Sequence, residues 1–399
     1  MTVGIRPTAY QAAVVLSGAA AVLGLGRELL MLRRLGLAEG NDALQFALSI
    51  VYTVALFGEP LRLGSLNLLG RRIGGALTAS LGLLVGAVAV VTTVAYAATG
   101  PGLPREWIVV AGAAGAANLI LAWVLPRSLR AGPFLPVHAV SVMPNVLIVA
   151  GMLLPAESDT VFAERVIYLF FATPVLQLAL LALLRGARDP EVAGAVRVTE
   201  GLRPVGWHAA GAAGTMATQF FIRSAVIGGG PAGALTAFVV ALRATETLRA
   251  VLVDTYIASK IQRWSEGRRE TSAVIDGRWL TSGLILLVVV AGLGVALAWP
   301  WPPGTYADPS AVVLLLGLYL VLALRVRYQE RNVSAQPLGV VRRIAGLEVG
   351  TAAVVGLVAA LPVVPLAVLP WLAYVLKPAI GLGMVAARET DVRELTPEA

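Results

Sequence analysis

The sequence predicts an all-α polytopic membrane protein of about twelve transmembrane helices in two six-helix lobes. Three observations carry this. Hydrophobic residues make up 58% of the 399 and charged residues only 14%, with a mean hydropathy of +0.81, far outside the balance of a soluble domain. The apolar residues fall into successive runs near the 20 residues that a hydrocarbon core requires. The basic residues collect in alternate loops, the asymmetry that orients helices in a bilayer.

The spans follow in order. The first (9–35) starts near Tyr10, holds Arg27 and Glu28 and ends at Arg33 and Arg34; the second (43–61) returns to Arg71 and Arg72. The third (73–98) leads to Arg105, the fourth (107–125) to Arg127 and Arg130, the fifth (134–154) towards Arg165, and the sixth (165–184) to a basic connection ending at Arg203. The seventh (206–227) carries Arg223, and the turn GGGPAG at Gly228–Gly233 precedes the eighth (234–256). That turn lacks the lysine of a phosphate-binding loop and reads as a plain turn. After the charged stretch Lys260–Arg278 come the ninth (279–299), the aromatic belt WPWPP at Trp299–Pro303 and the tenth (309–325). The eleventh (344–362) and twelfth (366–386) are split by LPVVPLAVLP.

Most of the 31 Lys and Arg lie on one side when the N-terminus is set in the cytoplasm, with only Arg33, Arg34, Arg105 and Arg165 outside. The expectation is a multi-pass protein of a bacterial cytoplasmic membrane with both termini inside, without a cleavable signal. Residues 1–190 form one lobe, 191–204 a cytoplasmic linker and 205–399 the second lobe, related by an axis along the membrane normal, one of the two repeat designs of transporters. Net charge is +8, but membrane topology accounts for the basic residues and nucleic acid is not expected as a partner. The absence of cysteine excludes disulfides and thiolate chemistry. His138 and His208 stand apart, without acidic neighbours at metal spacing, and read as core or interface residues. No metal or cofactor is expected; a coupling ion is compatible with the reading, and nothing in the sequence names it.

Charge inside a span is costly and marks a substrate path or a partner. Arg27, Arg223 and Arg243 suit phosphate because the guanidinium fork donates two parallel hydrogen bonds and stays charged when partly desolvated. The bland alternative pairs Arg27 with Glu28 or Asp42 and lets Arg223 reach for the interface. Glu28 and Asp42 are expected to neutralise arginine in the empty state or to bind a coupling cation. Lys377 is open between a cavity and the interface. Asn118, Asn145 and Gln219 read as interhelical glue, and Pro144, Pro174 and Pro370 as kinks.

Gly24-x-x-Arg27-Glu28, followed by Arg33, Gly36 and Asp42-Ala43, resembles the first-helix signature of lipid II flippases of the MOP exporter superfamily, which also holds polysaccharide-precursor flippases and the multidrug MATE exporters. PNVLIVAGMLL at Pro144–Leu154 is similar to its fifth helix, and Gly233 with Arg243 to its eighth. Phe57-Gly58-Glu59-Pro60 is similar to the end of its second, one residue out of register. The resemblance implies two lobes in alternating access around a cationic cavity that holds the pyrophosphate of a lipid-linked sugar, with Arg27, Arg243, Glu28 and Asp42 in that site. Ala21, Ala55 and Leu56 stand where the family has arginines, and its last two helices have no counterpart, which points to a divergent or pathway-specific relative. The expected partners are an anionic lipid-linked substrate, membrane lipids and enzymes of cell-envelope biosynthesis. The alternatives are a MATE-like exporter, which would want acidic residues in the cavity, a transport-dead membrane scaffold, and a membrane glycosyltransferase, which would show acidic metal motifs in its loops. No catalytic constellation is present, and an enzyme is not expected.

Overall fold

The structure, a computed structural model, describes residues 7–62, 71–184, 193–242 and 338–361 with short internal gaps, and positions 369, 372, 373, 377 and 380. The spans expected at 279–299 and 309–325, most of the eighth and the twelfth, and with them Arg243, lie outside the described residues. Within them the chain forms helices α1 (Pro7–Leu35), α2 (Glu39–Ala55), α3 (Gly75–Thr99), α4 (Arg105–Ala131), α5 (Phe134–Leu153), α6 (Asp159–Leu184), α7 (Val198–Gly229) and α8 (Leu338–Ala359). Each overlaps an expected span, with the largest difference at α7, which starts at Val198 where 206 was expected. The chain is an all-α polytopic membrane protein: α3–α6, and α2 with its continuation to Arg62, are long and apolar enough to cross a bilayer.

Two short strands break the pattern. Arg71–Arg72 (β1) pairs in parallel with Ala193–Ala195 (β2). The stretch 191–204 read as a linker therefore holds a strand, and α7 starts inside it at Val198. Both strands flank the α6-to-α7 and α2-to-α3 connections, so the pairing ties the linker to the first half of the chain.

α2 is the central element. Almost every residue from Asn41 to Val54 is buried, because α2 packs on α4 and α3 and also touches α6 and α7. α1 lies on α5, while α6 packs on both α4 and α5. α7 packs chiefly on α8 and only lightly on α2 and α3. The α7–α8 pair is close because Gly214 presents no side chain: a Cβ there would stand 2.5 Å from the Glu348 carbonyl carbon and 2.7 Å from the Val349 nitrogen. Across the same pair, Thr215 Oγ1 donates to Glu348 Oε2 at 2.8 Å, and Lys377 Nζ donates to that oxygen at 2.8 Å. Lys377, left open between two roles by the sequence, thus holds a carboxylate inside the second half of the chain.

Pro144 and Pro174 lie inside helices, α5 and α6, without ending them. A proline has no N–H for the carbonyl four residues earlier, which for Pro144 is that of Val140. Gln177 on α6 satisfies it, its Nε2 donating to Val140 O at 2.8 Å.

Candidate functional site

Arg27 and Glu28 of α1 turn inward where α1, α2, α5 and α6 meet. Arg27 is 6% exposed and Glu28 fully buried. Arg27 Nη2 donates to Glu28 Oε1 at 2.8 Å and to the Tyr52 hydroxyl at 3.1 Å, while Nη1 donates to Asn145 Oδ1 at 3.2 Å. The guanidinium lies 4.6 Å over the Phe170 ring, a placement that stabilises a partly desolvated cation. Glu28 is held further by Gln45 Nε2 at 3.1 Å and by the Tyr52 hydroxyl at 3.4 Å. Asn145 fixes the α1–α5 contact by donating Nδ2 to Ala20 O at 2.7 Å. Two of the stretches that resemble the flippase signature, Gly24 to Glu28 and the one opening at Pro144, therefore meet at one guanidinium.

The second arginine comes from α7. Arg223 is 3% exposed, not at the interface as the bland reading had it. Its Nη1 donates to Ser49 O at 3.3 Å, its guanidinium lies 5.9 Å from the Tyr52 ring centre, and it faces the Tyr96 hydroxyl, itself 2.8 Å from Thr53 Oγ1. Among the described residues no carboxylate pairs with Arg223. The Nε of Arg27 and the Nε of Arg223 are both buried and have no acceptor. The described cluster thus holds two guanidiniums against one carboxylate, with a donor of each arginine unused.

Asp42 stands elsewhere. The expectation that it pairs with arginine is corrected by its contacts: Oδ1 accepts from Thr236 N at 2.8 Å and Thr236 Oγ1 at 2.7 Å, and Oδ2 accepts from Gly233 N at 2.7 Å. A carboxylate suits this place because it accepts from two backbone N–H groups and a hydroxyl at once, and hydrogen bonds to a charged acceptor are the strong ones. The turn is shaped for the contact. Gly233 has φ 85°, and a Cβ there would lie 2.5 Å from Leu37 Cβ. On the facing side α1 ends at Gly36 (φ 67°), whose N–H returns to Leu32 O at 2.8 Å and whose carbonyl takes Asn41 Nδ2 at 2.7 Å, a left-handed helix end. Asp42 is thus a clasp between the α1–α2 turn and the turn after α7. Arg33 and Arg34 are exposed, as a collar should be, and Arg34 Nε reaches Asp159 Oδ1 at 3.2 Å.

Sequence reasoning missed Gln45, Ser49, Tyr52, Tyr96 and Phe170. A signal existed for the first three: Gln45, Ser49 and Tyr52 recur at helical spacing and share one face of α2.

The sequence matches no protein-family model and no curated protein. Structural comparison defines the class: the chain has the fold of MOP-superfamily transporters. A multidrug resistance MATE family transporter of that superfamily, in an outward-facing conformation, superposes with a TM-score of 0.53 at 15% identity, covering 97% of each chain. A MATE structure in complex with MaD5 gives 0.53 at 14% identity, covering 96% of each. The lipid II flippase MurJ in an inward closed conformation gives 0.66 at 13% identity, covering 95% of this chain and 87% of that one. At these identities the likeness is one of fold, and it extends over nearly the whole chain.

Proposed function

We propose that this chain is a transporter, not an enzyme, and that it moves an anionic lipid-linked glycan or related cell-envelope precursor, with a pyrophosphate head group on a polyprenyl tail, outward across the bacterial cytoplasmic membrane by alternating access. One observation carries the reading: Arg223 is buried without a carboxylate among the described residues, beside an Arg27 that shares a single carboxylate. A cation out of water costs several kcal/mol unless paired, and a site with that residual charge favours an anion. The two unused Nε donors favour phosphate oxygens, which accept from guanidinium in line with its fork. The MurJ structure, described as that of a lipid II flippase, supports a lipid-linked cargo, and the missing family arginines favour a head group other than that of lipid II. The MATE fold alone would fit export of cations, but a second positive charge in this cluster would be repelled.

Arg27, Arg223, Glu28 and Arg243 form the binding group in this reading, and Asp42 holds the halves together. The test is binding to the purified chain in nanodiscs. A fluorescent polyprenyl-pyrophosphate sugar should bind and be displaced by inorganic pyrophosphate, whereas the same lipid as a neutral alcohol should not bind. Equal binding of the neutral lipid would overturn the proposal.

A further inference from the structure

We propose that Tyr52 is the positioning residue that couples Arg27 to Arg223, so that an anionic head group engages both arginines as one unit; this rests on the anion-binding reading above. Three surfaces of the one side chain are in use. Its hydroxyl accepts from Arg27 Nη2 at 3.1 Å and donates to Glu28 Oε1 at 3.4 Å. Its ring lies 5.9 Å from the Arg223 guanidinium. Its edge meets Phe170 with centroids 5.7 Å apart at 80°, and Phe170 in turn carries Arg27 at 4.6 Å. Cation, ring, ring and cation thus follow one another through α1, α6, α2 and α7.

Two guanidiniums near each other repel, and Glu28 pairs with Arg27, while no carboxylate among the described residues pairs with Arg223. Aromatic faces offset that repulsion without taking up the charge, so both arginines remain available to an anion. The edge-to-face ring pair fixes the spacing between them, and α2 fixes the ring: Ser49 O, one turn before Tyr52, takes Arg223, and Gln45 holds Glu28. The unpartnered Nε atoms of Arg27 and Arg223 leave one donor on each arginine. Movement of α7 relative to α1 and α2 changes the Arg223–Tyr52 contact and leaves the Arg27–Tyr52 bond intact, so Tyr52 reports the position of one half to the arginine of the other.

The experiment is a double-mutant cycle on the full chain in nanodiscs, with inorganic pyrophosphate binding read by calorimetry and thermal unfolding recorded alongside. With Tyr52 present, Arg27→Ala and Arg223→Ala should be strongly non-additive, the double variant binding about tenfold or more better than the product of the single effects. In Tyr52→Leu the two effects should multiply. Tyr52→Phe keeps the ring under Arg223 and loses the hydrogen bond to Arg27, so affinity should fall about tenfold and the coupling should shrink; this variant decides the matter if the leucine variant does not fold. A lower melting temperature with an unchanged cycle would make Tyr52 a packing residue and overturn the proposal. Multiplying effects in the parent would overturn it while leaving anion binding in place, and a parent that binds no pyrophosphate would overturn both. Tighter binding of a polyprenyl-pyrophosphate sugar than of pyrophosphate is expected of a head-group site; equal affinity would overturn that in favour of a free anion.

Discussion

Replacing Asp42 by asparagine should open the clasp between the α1–α2 turn and the turn after α7. The carboxylate accepts three hydrogen bonds between 2.7 and 2.8 Å. Asparagine keeps one oxygen for Thr236 and turns an NH2 towards the Gly233 N–H, donor against donor. One bond to a charged group is lost, and with it about 1.5–3 kcal/mol. That loss shifts the ratio of clasped to open molecules roughly 10- to 150-fold when the contact exists only in the clasped state, as a two-state transporter requires. The absence of cysteine supplies the assay: Leu37→Cys, placed against Gly233, is labelled with a membrane-impermeant maleimide in the parent and in Asp42→Asn. Labelling should accelerate by about tenfold or more. Gly233→Ala should do the same independently, since its Cβ would overlap Leu37. Labelling unchanged in both variants would refute the clasp.

Further outcomes follow from the same contacts. Glu28→Ala leaves Arg27 without its carboxylate in a buried site and should destabilise the protein by about 3–5 kcal/mol, whereas Arg223→Gln should abolish transport without lowering the melting temperature. Gly214→Ala forces α7 from the α8 backbone and should cost about 1–3 kcal/mol, while Gly211→Ala, whose Cβ would meet nothing nearer than 3.6 Å, should be neutral in the same melts. A cysteine at Ser158 should react from outside intact cells and one at Ala195 only after permeabilisation; the reverse would overturn the orientation read from loop charge.

Helix positions were legible because hydrocarbon thickness sets a length that composition reveals directly. α1, α3 and α5 lie almost where apolar runs begin and end, whereas end turns that carry charge escaped: the first turns of α7 with Glu200 and Arg203, the start of α6 with Asp159 and Glu164, and the end of α4 with Arg127 and Arg130. The site was legible where it broke a rule: Arg27, Glu28 and Arg223 are charges within spans. Tyr52, Ser49 and Gln45 broke none, since neutral polar residues are ordinary between helices, and only the facing guanidiniums give them a role. Asp42 misled for a different reason. Its partners are mostly backbone N–H groups 191 and 194 residues away, and backbone donors leave no mark in a sequence, whereas the arginines nearby do.

The central claim is that buried, incompletely neutralised arginines carry an anionic lipid head across the membrane. Reconstitution of the full chain into liposomes with a panel of fluorescent polyprenyl-pyrophosphate sugars tests it most directly, with translocation read by quenching from outside. The parent should move at least one member of the panel, and Arg27→Ala and Arg223→Ala, folded and inserted, should move none. Translocation by Arg223→Ala at the parent rate, or movement of a cationic amphiphile in place of the anionic lipids, would contradict it.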